Sequence, residues 1–422
     1  MWLLNSYTRV MQSVMILGRQ PAIGLAELES LYGSSVIRRV GEHVAVVDVD
    51  PCLLAFDRLG GSIKFCKLLT TLETTDWHQV EKFLRTAAPE HSKSMPEGKM
   101  QLGLSVIGYE MNIRQLEASG LTLKKVIRKT GRSVRLVPNK ELELNSAQVL
   151  HNHLTGITGW ELIIIKDGDK TIIAQTVKVQ DINSYTYRDR ERPKRDARVG
   201  MLPPKLAQVI VNLSVGKLPE DLLKTICDIP AGSEIPSPVI DKTILDPFCG
   251  TGVLLQEVGL MGYNAYGTDL EPRMIDYSEK NLAWLGDHYK MPAVSCQLDV
   301  GDATSHQWTS PIDYVASETY LGRTFTDKPS PEILNQTVSD CNLIIKKFLK
   351  NIYDQLQPET RLCLAIPAWQ IAPNEFKHLP LIDQIEDLGY NRVSFEHTRD
   401  EDLIYYREDQ IVARQLLVIT RK

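Results

Sequence analysis

The period of the apolar positions changes along the chain, and the predicted structure changes with it. Val14 to Leu17 and Val44 to Val49 are continuous apolar runs of strand type. Between them, Ile23 to Leu31 sets Leu25, Leu28 and Leu31 at helical spacing, with Glu27 and Glu29 expected on the solvent side. Strands are next predicted at Ser105–Gly108 and Val134–Val137, and helices over Leu116–Lys129 and Glu141–Leu154. Glu161–Lys166 and Lys170–Val179 read as a hairpin about the Asp167-Gly168-Asp169 turn. The polar, Pro/Gly-containing stretch Pro89–Lys99 reads as a loop. Tyr185 to Gly200 mixes Arg, Lys, Asp and Glu with little apolar content, which predicts a linker ahead of a helix at Leu206–Leu213.

From residue 241 onward strand and helix patterns alternate. Strands are predicted at Thr243–Leu245, Ala265–Thr268, Tyr314–Ala316, Arg361–Ile366 and Ile411–Ile419. Helices are predicted at Gly252–Gly259, Pro272–Leu285, Glu332–Leu356 and Asn374–Leu388. This is the α/β pattern of a mostly parallel sheet.

A length of 422 residues exceeds one ordinary core and predicts two or three domains. The seven cysteines form no Cys-x-x-Cys pair, which argues against a disulfide framework or zinc knuckle and for a reducing cytoplasm. No run of about eighteen apolar residues predicts a membrane span. Residues 1–11 lack a secretory pattern and read as an extension. A net charge of -5 speaks against a nucleic-acid partner for the chain as a whole, but the charge is unevenly spread. Lys124, Lys125, Arg128, Lys129, Arg132, Arg135 and Lys140 include no acid among them, and Arg188, Arg190, Arg192, Lys194, Arg195 and Arg198 form a second, diluted cluster. Such patches suit a phosphate backbone, and RNA is the expected partner.

The candidate chemistry lies in Ile244-Leu-Asp-Pro-Phe-Cys-Gly-Thr-Gly252, a short strand running into a glycine-rich turn and an apolar helix. Glycines let the backbone approach a ligand, and the helix start offers amide donors. Asp269, closing Tyr266-Gly-Thr-Asp-Leu270, is placed to accept the hydroxyls of an adenine nucleoside, and Asp302 in Val300-Gly-Asp-Ala303 to hold the adenine amine. No Gly-Lys-Ser/Thr follows the turn and no Gly-x-Gly-x-x-Gly is present, which disfavours a nucleotide phosphate or nicotinamide cofactor. With two acids following it, the loop is expected to hold S-adenosylmethionine, through Asp246, Pro247, Cys249, Gly250, Gly252, Asp269 and Asp302. Cys249 is expected to be a buried residue supporting the turn, not a nucleophile.

A fourth strand ends in Ser317-Glu-Thr-Tyr-Leu-Gly322. Methyl transfer to an exocyclic amine needs placement of the nucleophile and acceptors for its hydrogens. Glu318 and the Thr319 carbonyl are candidate acceptors, and Tyr320 is a candidate platform for the base. Trp369, after Ile366-Pro-Ala368, is expected on the substrate side. His151 and His153 lack a third ligand and read as structural or surface residues; no metal is expected.

These segments resemble the THUMP-domain tRNA guanosine N2-methyltransferases, most closely those modifying guanosine 10. Ile16-Leu-Gly-Arg-Gln-Pro-Ala22 with Leu25-Ala-Glu-Leu28 is similar to that family's ferredoxin-like start. Arg192-Pro-Lys-Arg-Asp196 through Met201-Leu-Pro-Pro-Lys-Leu-Ala207 resembles its linker-to-catalytic junction, and Gln410-Ile-Val-Ala-Arg414 its closing segment. The resemblance implies a ferredoxin-like domain at 12–60, a THUMP RNA-binding domain at 61–180, a basic linker at 181–205 and a Rossmann-like methyltransferase domain at 206–422. It implies tRNA as substrate, S-adenosylmethionine as cofactor, and Glu318, Thr319 and Tyr320 at the base. The family's Asp/Asn-Pro-Pro-Tyr/Phe is replaced here by Glu-Thr-Tyr-Leu, which lacks the prolines that stiffen the loop. The alternatives are an amino-methyltransferase of DNA or another RNA, and a catalytically weak RNA-binding homologue.

Overall fold

The computed structural model describes residues 12–196, 202–229, 236–325 and 327–422. The expected extension at 1–11, Arg198 of the second basic cluster and Met201 of the junction lie outside them. The chain opens with β1 (Ser13–Leu17) and α1 (Pro21–Tyr32), then β2 (Ile37–Val40), β3 (Val44–Val47) and β4 (Ser62–Leu72). It continues through α2 (Trp77–Ser94), β5 (Met100–Ile107), α3 (Ile113–Arg128), β6 (Val134–Leu136), α4 (Ser146–His151), β7 (Gly159–Asp167) and β8 (Lys170–Val179). Contacts divide the whole into two compact units.

Of the described residues, the first unit takes 12–19, 36–57 and 62–182. Its sheet runs β2-β3-β1-β4-β8-β7-β5-β6. β1 pairs antiparallel with β4, so the strands before and after residue 60 share one sheet. Asn112 and Asn145 start α3 and α4 with reciprocal capping boxes, which fix both helix origins. That cap shortens the helix predicted from Glu141. Residues 142–144 bond to β5 instead, through Val106 N–H to the Leu142 carbonyl and Leu144 N–H to Ser105 Oγ. The loop predicted at Pro89–Lys99 is helical as far as Ser94, because Val80, Leu84, Ala88 and Ser92 form a buried stripe at four-residue spacing that outweighs Pro89.

The second unit takes residues 20–35, 58–61 and the described residues from 183 onward. It contains α1 with α5 (Ile182–Arg190), α6 (Pro204–Val215), α7 (Glu220–Cys227), β9 (Ile240–Asp246), α8 (Val253–Leu260), β10 (Tyr263–Asp269) and α9 (Pro272–His288). β11 (Cys296–Val300), β12 (Tyr314–Glu318), α10 (Pro331–Tyr353), β13 (Arg361–Ala372), β14 (Glu375–Lys377), β15 (Tyr390–Arg392), β16 (Ile404–Tyr405) and β17 (Val412–Arg421) complete it. The sheet order is β11-β10-β9-β12-β13-β17-β15, with β14 beside β13 and β16 beside β17. The first five strands are parallel, and β17 closes antiparallel to β13. This is a Rossmann-like α/β sheet.

Three expectations are corrected here. Asn374–Leu388 is not a helix: Asn374 takes φ +59°, a short strand follows, and Pro380 opens a run of 3-10 turns. The predicted linker contains α5, whose Arg188 is buried against Glu257 at 2.7 Å. Glu27 is buried, not solvated, because its carboxylate accepts the Gly60 and Gly61 N–H groups and the Asn212 amide.

Candidate functional site

The sheet order reverses at β9, with β10 and β11 to one side and β12 and β13 to the other. Ligands bind outside the carboxyl ends of strands at such a switch point. Asp246 ends β9. Its buried carboxylate accepts Ser317 Oγ–H at 2.6 Å and Phe248 N–H at 3.2 Å. Burial pushes its pKa up to about 7, and the charges of Asp269 and Glu318 push the same way.

The following loop is fixed by its own backbone. Cys249 N–H donates to the Thr268 carbonyl at 2.9 Å, and Gly252 N–H to the Cys249 carbonyl at 2.8 Å. Ser278 Oγ–H reaches the Gly250 carbonyl and the Asn281 amide the Thr251 carbonyl, both at 2.8 Å, while Thr268 Oγ1 lies 3.4 Å from the Pro247 carbonyl. Loop carbonyls therefore turn into the protein. Gly252 has φ +80°, and a Cβ there would lie 2.9 Å from Ser278 Oγ. As N-cap of α8 it has no side chain for the first-turn amides, which leaves those donors for a ligand. Cys249 is buried, and burial with nearby negative charge holds its thiol well above its usual range, so it is no nucleophile.

Asp269 ends β10. Its two oxygens accept Gly250 N–H and Glu271 N–H, each at 2.9 Å, and burial raises its pKa. Asp302 is exposed and accepts the Thr304 N–H and hydroxyl on one oxygen, each at 2.8 Å. β10 and β11 are parallel partners with Asp269 opposite Val300, so Asp246, Asp269 and Asp302 stand at or just beyond three adjacent strand ends. Two apolar side chains beside them are unusually open: Leu270 is 64% exposed and Val300 51%. Open apolar surface next to an acid in each segment is the kind of surface that suits a flat base. Motif reasoning from the sequence overlooks both; their signal is an apolar residue directly after Asp269 and another two before Asp302.

Across the switch point, Glu318 ends β12 and pairs in register with Ala365 of β13. Its Oε1 accepts Arg414 Nε–H at 2.7 Å, with both side chains largely buried. Thr319 anchors its N–H at 3.1 Å and its hydroxyl at 3.4 Å on the Ala365 carbonyl. Tyr320 is 44% exposed, and its partial burial raises its phenol pKa. Sequence reasoning does not bring Arg414 of β17 beside Glu318, because the two lie 96 positions apart. Trp369 is a correction: it is fully buried in the core cluster and has no face toward a substrate.

The basic residues separate by environment. Lys125, Arg128, Lys129, Arg135 and Lys140 are exposed in the first unit. Arg132 there is a clamp, donating to the carbonyls of Ser92, Met95 and Pro96. In the second cluster Arg188 and Arg192 are buried, while Arg190 and Arg195 are exposed. Among the described residues no helix is long and apolar enough to cross a membrane.

No family model matches the chain. It is 27% identical over 197 residues to a tRNA (guanine(10)-N2)-dimethyltransferase of Pyrococcus abyssi (strain GE5 / Orsay), covering 46% of this chain and 47% of that protein. It is also 27% identical over 168 residues to a tRNA (guanine(10)-N2)-dimethyltransferase of Methanothermobacter thermautotrophicus, covering 40% of this chain and 39% of that protein. The chain thus spans less than half the length of these curated relatives. The crystal structure of TrmN from Thermus thermophilus superposes with a TM-score of 0.50 over 98% of this chain and all of that one, at 13% identity. At that identity the likeness shows that the two chains share a fold.

Proposed function

We propose that this protein is an S-adenosylmethionine-dependent methyltransferase acting on the N2 amine of a guanosine in tRNA, at position 10. The observation that carries the reading is the line of strand ends bearing Asp246, Asp269 and Asp302, with open Leu270 directly after Asp269 and open Val300 two residues before Asp302. Such a donor set fits this cofactor: Asp246 would take its cationic amino-acid end, Asp269 its ribose hydroxyls and Asp302 its adenine amine, with Leu270 and Val300 offering apolar surface to the adenine. Pro247, Cys249, Gly250 and Gly252 would shape the loop that receives it. The bound cofactor supplies an electrophilic methyl group.

The chain's own work lies on the other side of the switch point. The lone pair of a guanine N2 amine is delocalised into the ring, so the amine is a weak nucleophile. Glu318 and the Thr319 carbonyl accept its two hydrogens, which localises electron density on nitrogen and orients it. Tyr320 stacks on the base. Residues 12–60 and 61–180 act as the ferredoxin-like and THUMP parts that hold tRNA, with the exposed Lys125, Arg128, Lys129, Arg135 and Lys140 neutralising phosphates. The site of action is the cytoplasm.

The test is methyl transfer from labelled S-adenosylmethionine to unmodified tRNA, followed by nucleoside analysis. N2-methylated guanosine supports the reading. A methylated adenosine or cytidine moves the protein to another amino-methyltransferase class, and cofactor binding without transfer leaves the RNA-binding homologue.

A further inference from the structure

We propose that Arg414 is a positioning residue for the acceptor carboxylate, and that the Arg414–Glu318 pair together with the Thr319 anchor takes the place of a proline-stiffened loop. The inference rests on the proposed amine acceptor. Arg414 stands on β17 opposite Pro367 of β13, and Glu318 on the other flank of β13. The guanidinium therefore reaches over one strand to meet Glu318 Oε1 at 2.7 Å, and Gln410 Oε1 lies 3.5 Å from the Arg414 Nη1. Ion-pair burial of this kind adds little net stability over apolar packing, so stability alone gives no reason for it. Its position does: Glu318 is the last residue of β12, where the strand releases the chain into the site.

A glutamate carries one more rotatable bond than an aspartate, and without a neighbouring proline its carboxylate has more positions to choose from. Arg414 removes that freedom by fixing one oxygen. Among the described residues no hydrogen bond reaches Oε2, which leaves that oxygen to accept from a nucleophile. Thr319 removes the backbone freedom, since its N–H and hydroxyl share the Ala365 carbonyl. One side of the pair orients the other, and a mispositioned acceptor costs rate more than cofactor affinity.

The test compares Arg414→Met, Arg414→Lys and Glu318→Gln, singly and with Arg414→Met combined with Glu318→Gln, in the full chain. For Arg414→Met, kcat on unmodified tRNA is expected to fall about 100-fold while the Kd for S-adenosylmethionine stays within about twofold. Arg414→Lys keeps a monodentate cation and recovers at least about tenfold of that loss. In the Glu318→Gln background Arg414→Met adds less than about threefold, because the carboxylate it serves is gone. Fully additive losses, or a Kd that worsens as much as kcat, would overturn the proposal. A second readout needs no turnover: in a crystal structure of Arg414→Lys or Arg414→Met, the Glu318 carboxylate shifts with the shortened or missing partner. A carboxylate that keeps its place in both also overturns it. If the parent transfers no methyl to any tRNA, the proposed function fails, and the crystallographic comparison still decides whether Arg414 positions Glu318.

Discussion

Asp246 holds an ionisable group in a place that disfavours its charge, and a cationic ligand reverses that preference. With its pKa at about 7 against an ordinary 3.8, the folded protein without ligand binds a proton that the unfolded chain releases. That contribution to stability is fully present below about pH 4 and is lost as pH rises through about 7. Asp246→Asn is expected to flatten this part of the melting-temperature profile, measured by calorimetry between about pH 5 and 8. Cofactor binding has the opposite dependence. If the carboxylate takes the cofactor's positive end, the Kd rises roughly tenfold for each pH unit below 7 and levels above it. A Kd that is flat across that range in the parent protein would remove Asp246 from the role. Glu318→Ala, by contrast, is expected to lower methyl transfer at least about 100-fold while the cofactor Kd moves less than about threefold, since its proposed partner is the acceptor amine.

At the level of elements, the first unit is tied across its sheet by a buried ion pair. Lys64 on β4 meets Glu161 on β7, and Glu161 also accepts the hydroxyls of Ser105 on β5 and Thr176 on β8. Lys64 donates in addition to the Leu144 carbonyl at 2.6 Å. Removing one partner strands the other, so Glu161→Ala is expected to destabilise the protein by about 3–5 kcal/mol in denaturant titrations. Replacing both, as Lys64→Met with Glu161→Leu, recovers most of that loss if charge desolvation is its cause; an equal loss in the double variant would place the cost in packing instead. In the second unit the glycine loop has a similar intolerance. Gly252→Ala meets both a positive φ and the Ser278 hydroxyl, and is expected to lose stability and cofactor affinity together, as read by melting and titration.

Across the whole molecule, net charge hides the distribution that matters. The exposed bases of the first unit stand on a chain whose overall charge is -5, so the proposed attraction to RNA would be local and sensitive to salt. Changing Lys125, Arg128 and Lys129 together to glutamate is expected to weaken tRNA binding and to reduce the slope of log affinity against log salt by about 2–3. An unchanged slope would show that these residues face solvent only. Arg188 gives the contrasting outcome. It belongs to the second basic cluster by sequence but is buried on Glu257, with an aromatic ring of Tyr185 5.0 Å away. Arg188→Ala is therefore expected to lower stability far more than it alters that slope.

The sequence by itself determined the local and periodic features. The Asp246–Gly252 turn, the acids at Asp269 and Asp302 and the alternating strands and helices of residues 241–366 were legible because each follows from neighbours within one strand–loop–helix unit. Residues 374–388 misled because an apolar spacing compatible with a helix says nothing of the positive φ at Asn374, and Glu27 misled because helical periodicity cannot anticipate two backbone amides and an asparagine arriving from elsewhere in the chain. Only the tertiary structure decided which basic residues are open, that Trp369 is core, and that Glu318 meets Arg414. The reason is the same in each case: strand pairing and packing bring together residues separated by tens to hundreds of positions, and burial of a charge depends on what stands opposite it, which the spacing along the chain does not contain.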